Sequence, residues 1–170
     1  MSTFRGPPPE TEPGIGALTM GGLLTEVAAR FGTREAVCFH EPAPPDGGRP
    51  PVVRWSYGEL EGRARRFAKA LVAAGAGKGT RVALLMGNRP EWVEAAFGAA
   101  LAGTVLVPVN TLFEPPEIEH VLGHSDTAVL VYQERLASHR YHEQVRSMSG
   151  DLPYLTTLAC MGTDGYDTFL

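Results

Sequence analysis

Apolar positions along the chain follow two successive patterns, a helical spacing before residue 75 and short continuous runs after residue 81. In the first part Leu23, Leu24, Val27, Ala28 and Phe31 recur three and four residues apart, which predicts a helix over residues 23–31. Two β-like runs follow, at 36–40 and 52–55, on either side of the Pro/Gly-rich stretch 41–51, and together they read as a hairpin with an elongated loop. Ser56 and Glu59 then stand at capping-box spacing, where each side chain satisfies a backbone N–H of the other at a helix start. The stripe Leu60, Ala64, Phe67 and Leu71 forms the apolar face of that helix, with Arg63, Arg66 and Lys69 turned elsewhere and Gly75 stopping it.

From Arg81 onward strands and helices alternate. Val82 to Met86 is a continuous apolar run, followed by Asn88 and Glu91 at capping-box spacing and Pro90 in the first helical turn, so a helix is expected over 89–102 with Asn88 as its cap. Next come a strand at 104–109, a helix opening near Pro115-Pro116, a strand at 128–132, a helix within 135–148, a strand at 154–158 and a turn at 164–170 leading onward. Such a series with short connections predicts an α/β fold: a partial doubly wound sheet, mostly parallel, with covering helices and an N-terminal β-hairpin. The strands are apolar on both sides, so helices must cover both faces. The 89–102 helix has almost no polar face and should be buried nearly all round, which a layer of this size has difficulty achieving alone; further structure or a partner is expected to cover it.

Composition adds exclusions more than assignments. The chain has 170 residues, a net charge of -4 and 15 basic residues spread along its length, so no cationic patch suits nucleic acid or anionic lipid. Cys38 and Cys160 fit no metal or redox spacing and are read as structural thiols in a reduced, cytoplasmic setting. No apolar run approaches the ~20 residues of a membrane helix, the start of the chain lacks a signal-peptide core, and residues 1–17, rich in proline and glycine, are expected to form a loose tail.

Candidate chemical groups have plain structural readings. Gly75-Ala76-Gly77-Lys78-Gly79-Thr80 follows a helix and precedes a strand, whereas a phosphate-binding loop does the reverse, and no Ser or Thr follows Lys78. It reads as a helix-ending turn. His120 and His124 stand four apart on an expected helix without the intervening Glu of a zinc hydrolase; His124 suits the negative end of the helix dipole. His139 and His142 lie among Arg140, Tyr141 and Glu143 and read as a solvated helix face. Ser125, between His124 and Asp126, is no triad, because triad members meet through the fold. By the rule that open α/β sheets bind ligands at the carboxyl ends of their strands, Asn88, Asn110 and Thr111 would line a crevice.

The blocks Trp55-Ser56-Tyr57-Gly58-Glu59-Leu60 and Ala99-Ala100-Leu101-Ala102-Gly103-Thr104-Val105-Leu106-Val107-Pro108-Val109-Asn110 resemble the first two signature motifs of AMP-forming acyl-CoA synthetases. Phe31 to Val37, Gly79 to Leu85, Asn88 to Trp92 and Pro116 to Leu122 follow the family's order and spacing, and the wording from Asn88 to Leu122 looks most like ligases for fatty or other hydrophobic acids. The resemblance implies that residues 18–170 are an incomplete N-terminal subdomain of an adenylate-forming ligase. A complete member would use ATP, magnesium and coenzyme A to turn a carboxylate into an acyl-adenylate and then a thioester. The family's Ser/Thr/Gly phosphate loop and its C-terminal lysine have no counterpart here, and Lys69 and Lys78 match neither. No catalytic, cofactor-binding or metal-ligating residue is therefore carried over. The implied partner is the rest of the ligase or a second copy of the chain; the alternative is a non-catalytic α/β interaction or small-molecule-binding module.

Overall fold

A computed structural model describes residues 19–170; the expected tail at 1–17 lies outside the described residues. Helix α1 (Met20–Phe31) is capped by Thr19, whose hydroxyl accepts the Gly22 N–H at 2.9 Å. Strands β1 (Glu35–His40) and β2 (Val52–Ser56) pair antiparallel as the expected hairpin. Helix α2 (Tyr57–Ala73) opens on the complete capping box: Ser56 Oγ accepts the Glu59 N–H at 3.2 Å and Glu59 Oε2 accepts the Ser56 N–H at 2.7 Å. These bonds hold the Glu59 carboxyl below its usual range. Replacing Ser56 with alanine is expected to cost about 1 kcal/mol in urea unfolding. An unchanged midpoint would mean that the box is incidental to the stability of α2. Gly75, at φ +83°, ends the helix in a left-handed turn.

Four parallel strands follow, β3 (Arg81–Leu85), β4 (Val105–Pro108), β5 (Val129–Gln133) and β6 (Thr157–Met161), in the order β4-β3-β5-β6. They are joined by α3 (Pro90–Leu101), α4 (Pro115–His124) and α5 (Tyr141–Met148), and a last helix α6 (Asp164–Phe169) closes against the sheet. Right-handed crossovers in opposite directions place the helices on opposite faces. Val82, Leu84, Val129 and Val131 point to the face covered by α2 and α3, while Ala83, Leu85, Leu130 and Tyr132 meet Ile118 and Leu122 of α4 and Tyr141 and Val145 of α5. A third cluster joins α1, the hairpin and α2 through Leu24, Trp55, Leu60 and Ala64.

Three expectations need correction. Arg89, and not Asn88, is the N-cap of α3, and no side chain caps it. Pro90 at the first helical position forces the residue before it into extended backbone, so the cap moves to Arg89 at φ -154°, ψ 161°. Strand β6 lies three residues later than 154–158, because Ser149–Asp151 forms a 3-10 turn and Leu155 N–H bonds back to Leu152, using up the intervening chain. Residues 164–169 are helical, capped by Thr163, and seat Tyr166 and Phe169 on the first core cluster. Helix α3 packs against α1, α2 and the hairpin and has no exposed residue, while Trp92, Val93, Phe97 and Leu101 stay half-buried.

Candidate functional site

The first strand of the parallel sheet, β3, sits inside it. Its outgoing chain passes toward β4 over one face, whereas that of β5 passes toward β6 over the other. The chain therefore diverges at the carboxyl ends of β3 and β5, the place where an open α/β sheet leaves a crevice. A cavity of about 350 Å³ lies there, lined by Gly87, Asn88 and Arg89 after β3, Gln133 at the end of β5 and Leu136 beyond it, and Phe39, Glu41 and Pro42 from the hairpin.

Its electrostatics are nearly self-contained. Arg89 Nε donates to Glu91 Oε2 at 2.8 Å, and this bond, with Glu41 nearby, raises the guanidinium pKa. Burial is the largest single influence on Glu91 and opposes its charge, yet the Arg89 bond, a backbone hydrogen bond and the charges of Arg89 and Arg63 together outweigh it and hold the carboxyl below its usual range. Gln133 Oε1 accepts the Gly87 N–H at 3.4 Å. The Asn88 side chain is exposed and makes no hydrogen bond to the described residues.

Of the three residues placed in the crevice from sequence, Asn88 lines it and the other two do not. Asn110 Oδ1 accepts the Leu112 N–H at 2.9 Å, and the Thr111 carbonyl accepts from the Tyr141 hydroxyl at 2.7 Å. Both belong to the turn after β4, on the far side of β3 from β5. The hairpin's contribution, Phe39, Glu41 and Pro42, carried no signal in the sequence, because it depends on how the hairpin lies across the sheet.

His120 and His124 do share a face of α4, with rings stacked 5.6 Å apart, beside a shallow groove with Glu119 and Asp151. No group of three or more His, Cys, Asp or Glu among the described residues could hold a metal. His142 is half-buried, with Nδ1 3.0 Å from the Tyr132 hydroxyl, which corrects the solvated reading. Burial pushes the Tyr132 phenol and the neighbouring Cys160 thiol upward, so both stay protonated and neither is an activated nucleophile. Cys38 and Cys160 are free thiols.

One charged group is buried without any signal in the spacing of α3. Glu94 is 1% exposed in the middle of α3, with Arg63 Nη1 3.7 Å from Oε2 and no hydrogen bond to Oε1. Arg63 also lies 4.3 Å above the Trp55 ring. Burial raises the Glu94 carboxyl above its usual range, against the pull of Arg63 and Arg66.

The Gly75 to Thr80 turn is no phosphate cradle, because three of its N–H groups are already engaged: Gly77 donates to Thr80 Oγ1, Gly79 to the Gly103 carbonyl and Thr80 to the Gly77 carbonyl.

The strand order, the helices on both faces and the crevice define an open, doubly wound α/β domain. Residues 24–164 match the AMP-binding enzymes, and the chain belongs to that family, as the N-terminal part of an AMP-forming acyl-CoA synthetase. It is 33% identical over 126 residues to the acyl-CoA ligase sidI of Aspergillus fumigatus, covering 74% of this chain and 20% of that one. It is 42% identical over 80 residues to the long-chain-fatty-acid–CoA ligase FadD13 of Mycobacterium tuberculosis, covering 47% of this chain and 16% of that one. The N-terminal domain of FACL13 from Mycobacterium tuberculosis superposes with a TM-score of 0.73 at 29% identity, over 89% of this chain and 35% of that one. The chain thus spans only a fifth or less of the length of these two curated relatives.

Proposed function

We propose that residues 18–170 form the N-terminal scaffold of an ATP-dependent acyl-CoA ligase acting on a fatty or other hydrophobic carboxylic acid. The observation that carries this reading is the family match over residues 24–164, together with the likeness to a solved ligase N-terminal domain. The complete enzyme works in the cytoplasm, joins carboxylate and ATP into an acyl-adenylate with release of pyrophosphate, and passes the acyl group to coenzyme A. ATP, magnesium and coenzyme A bind where the rest of the ligase meets this scaffold. The scaffold's own residues supply caps, strands and packing faces, and its working partner is that remaining part or a second copy of itself. No helix among the described residues is long and apolar enough to cross a membrane.

The 170-residue chain alone is expected to show no carboxylate-dependent exchange of pyrophosphate into ATP. Exchange above background would overturn the scaffold reading. A chimera in which this chain replaces the matching segment of FadD13 should exchange; a well-folded chimera without activity would favour the second reading, a non-catalytic small-molecule-binding module. One observation speaks for that reading: the crevice lies at the carboxyl ends of β3 and β5, where open α/β sheets bind ligands.

A further inference from the structure

Glu94 Oε1 on α3 and the Tyr166 hydroxyl on α6 are both buried without a hydrogen-bond partner among the described residues. A buried polar atom in that condition keeps the full penalty of its desolvation. The two groups sense each other: burial first, and then the Glu94 carboxylate, hold the Tyr166 phenol above its usual range. The phenol stays protonated, so Glu94 is the member of the pair that titrates.

The charges around Glu94 come from the helices packed about it. Arg63 and Arg66 of α2 favour its ionised form, whereas Glu91, one turn earlier on α3 and bonded to Arg89, opposes it. Asp164 and Asp167 of α6 are exposed.

The two elements that cover the pair are held very differently. Helix α2 has 17 residues, opens on the Ser56 capping box and packs along α3. Helix α6 has 6 residues, and among the described residues the hydrogen bonds of 164–170 all stay within 163–170. Its docking rests on Tyr166, Phe169 and Leu170 against the first core cluster. Its tether to β6 includes Gly162, at φ +96°, a residue whose backbone angles change without steric penalty. An outward swing of α6 is therefore the smallest movement that brings water to both atoms.

We propose that α6 is a lid over Glu94, closed while the carboxyl is protonated and opening in a growing share of molecules as it ionises. The closed state holds this proton more tightly than the hydrated, open one. Opening thus becomes easier as pH rises from about 4.3 through the closed-state value, and levels off above it.

Amide hydrogen exchange of the full chain, followed residue by residue by NMR, tests the lid. Each rate divided by the intrinsic rate at the same pH gives an opening constant. For Tyr166 and Leu170, whose N–H groups donate to the Thr163 and Tyr166 carbonyls, that constant is expected to rise at least about fivefold between about pH 4 and 7. Leu130, paired on both sides within the sheet, should stay at least about a hundredfold better protected. Glu94→Gln removes the titration and should flatten the rise. Tyr166→Phe removes the other unpartnered atom, and should lower the constant at every pH while keeping its rise. A constant that does not rise with pH would mean that both groups are already satisfied by a buried water, and would overturn the proposal. A rise undiminished in Glu94→Gln would do the same by assigning it to Asp164 or Asp167, as would lid amides that exchange in step with Leu130.

Discussion

Gly98→Val is expected to destabilise the chain by about 3 kcal/mol, the upper part of the usual range for overpacking a core. Gly98 sits where α3 presses on α2, and a Cβ there would stand 2.7 Å from Phe67 Cδ1 and 2.9 Å from the Ala64 carbonyl oxygen. The carbonyl is main chain of α2 and cannot turn aside. Phe67 is fully buried and meets Phe169 edge-on at 5.5 Å between ring centres, so its escape would disturb α6 as well. The helices must separate, and they bring with them the Trp55 cluster and the first core cluster that they hold together. Gly62 supplies the comparison, on the exposed face of α2 with nothing within 4 Å of its would-be Cβ. Gly62→Ala should stabilise by about 0.5–1 kcal/mol through helix propensity alone. Urea unfolding of the two variants reads both effects, and a Gly98→Val midpoint near that of the parent would show that α2 and α3 are not in the contact described.

Glu94→Met is expected to act in the opposite direction, raising stability at pH 7 by about 1–2 kcal/mol, since replacing a poorly satisfied buried charge with an apolar side chain of similar volume is commonly stabilising. Arg63 loses little by the change, because its side chain is 39% exposed and keeps its place over Trp55. The pH dependence identifies the cause. Burial raises the folded-state pKa of Glu94, so the folded chain holds this proton more tightly than the unfolded one. The stability contributed by the protonated group is fully present below the unfolded value of about 4.3 and is lost as pH rises through the folded value. The advantage of methionine over the parent should therefore shrink as pH falls from 7 to about 4, while Glu94→Gln removes the titration altogether. A Glu94→Met protein less stable than the parent at pH 7 would mean that the ion pair with Arg63 outweighs its desolvation.

Legibility from the sequence followed the range of the interactions involved. The Ser56 box, the Leu60 to Leu71 stripe and the two-sided strands β3 and β5 are written in residues next to one another or one turn apart, and they stand in the structure as expected. The cap of α3 was misplaced because two local rules compete there: Asn88 favours a cap, but Pro90 dictates the backbone of Arg89. Strand β6 slid because Leu152 and Leu155 have the apolarity of a strand yet form a turn. Glu94 escaped notice because its burial arises from α2 and α6 together, which no spacing within α3 records. The crevice was half legible. Asn88 follows from the strand rule, whereas Asn110 and Thr111 obey the same rule on a strand that, among the described residues, has a neighbour on one side only. The hairpin wall is a matter of long-range docking.

The inward position of β3 also governs how the chain comes together during synthesis. Each later strand adds to an edge that already exists, β4 on one side of β3 and β5 on the other, then β6 outside β5. No strand among the described residues waits to be threaded between two earlier ones; β4 and β6 each pair across one helical crossover, and β5 returns to β3 across α3, β4 and α4. The sheet can thus assemble in the order in which it leaves the ribosome, N-terminal part first, with its apolar strands withdrawn from solvent as they appear.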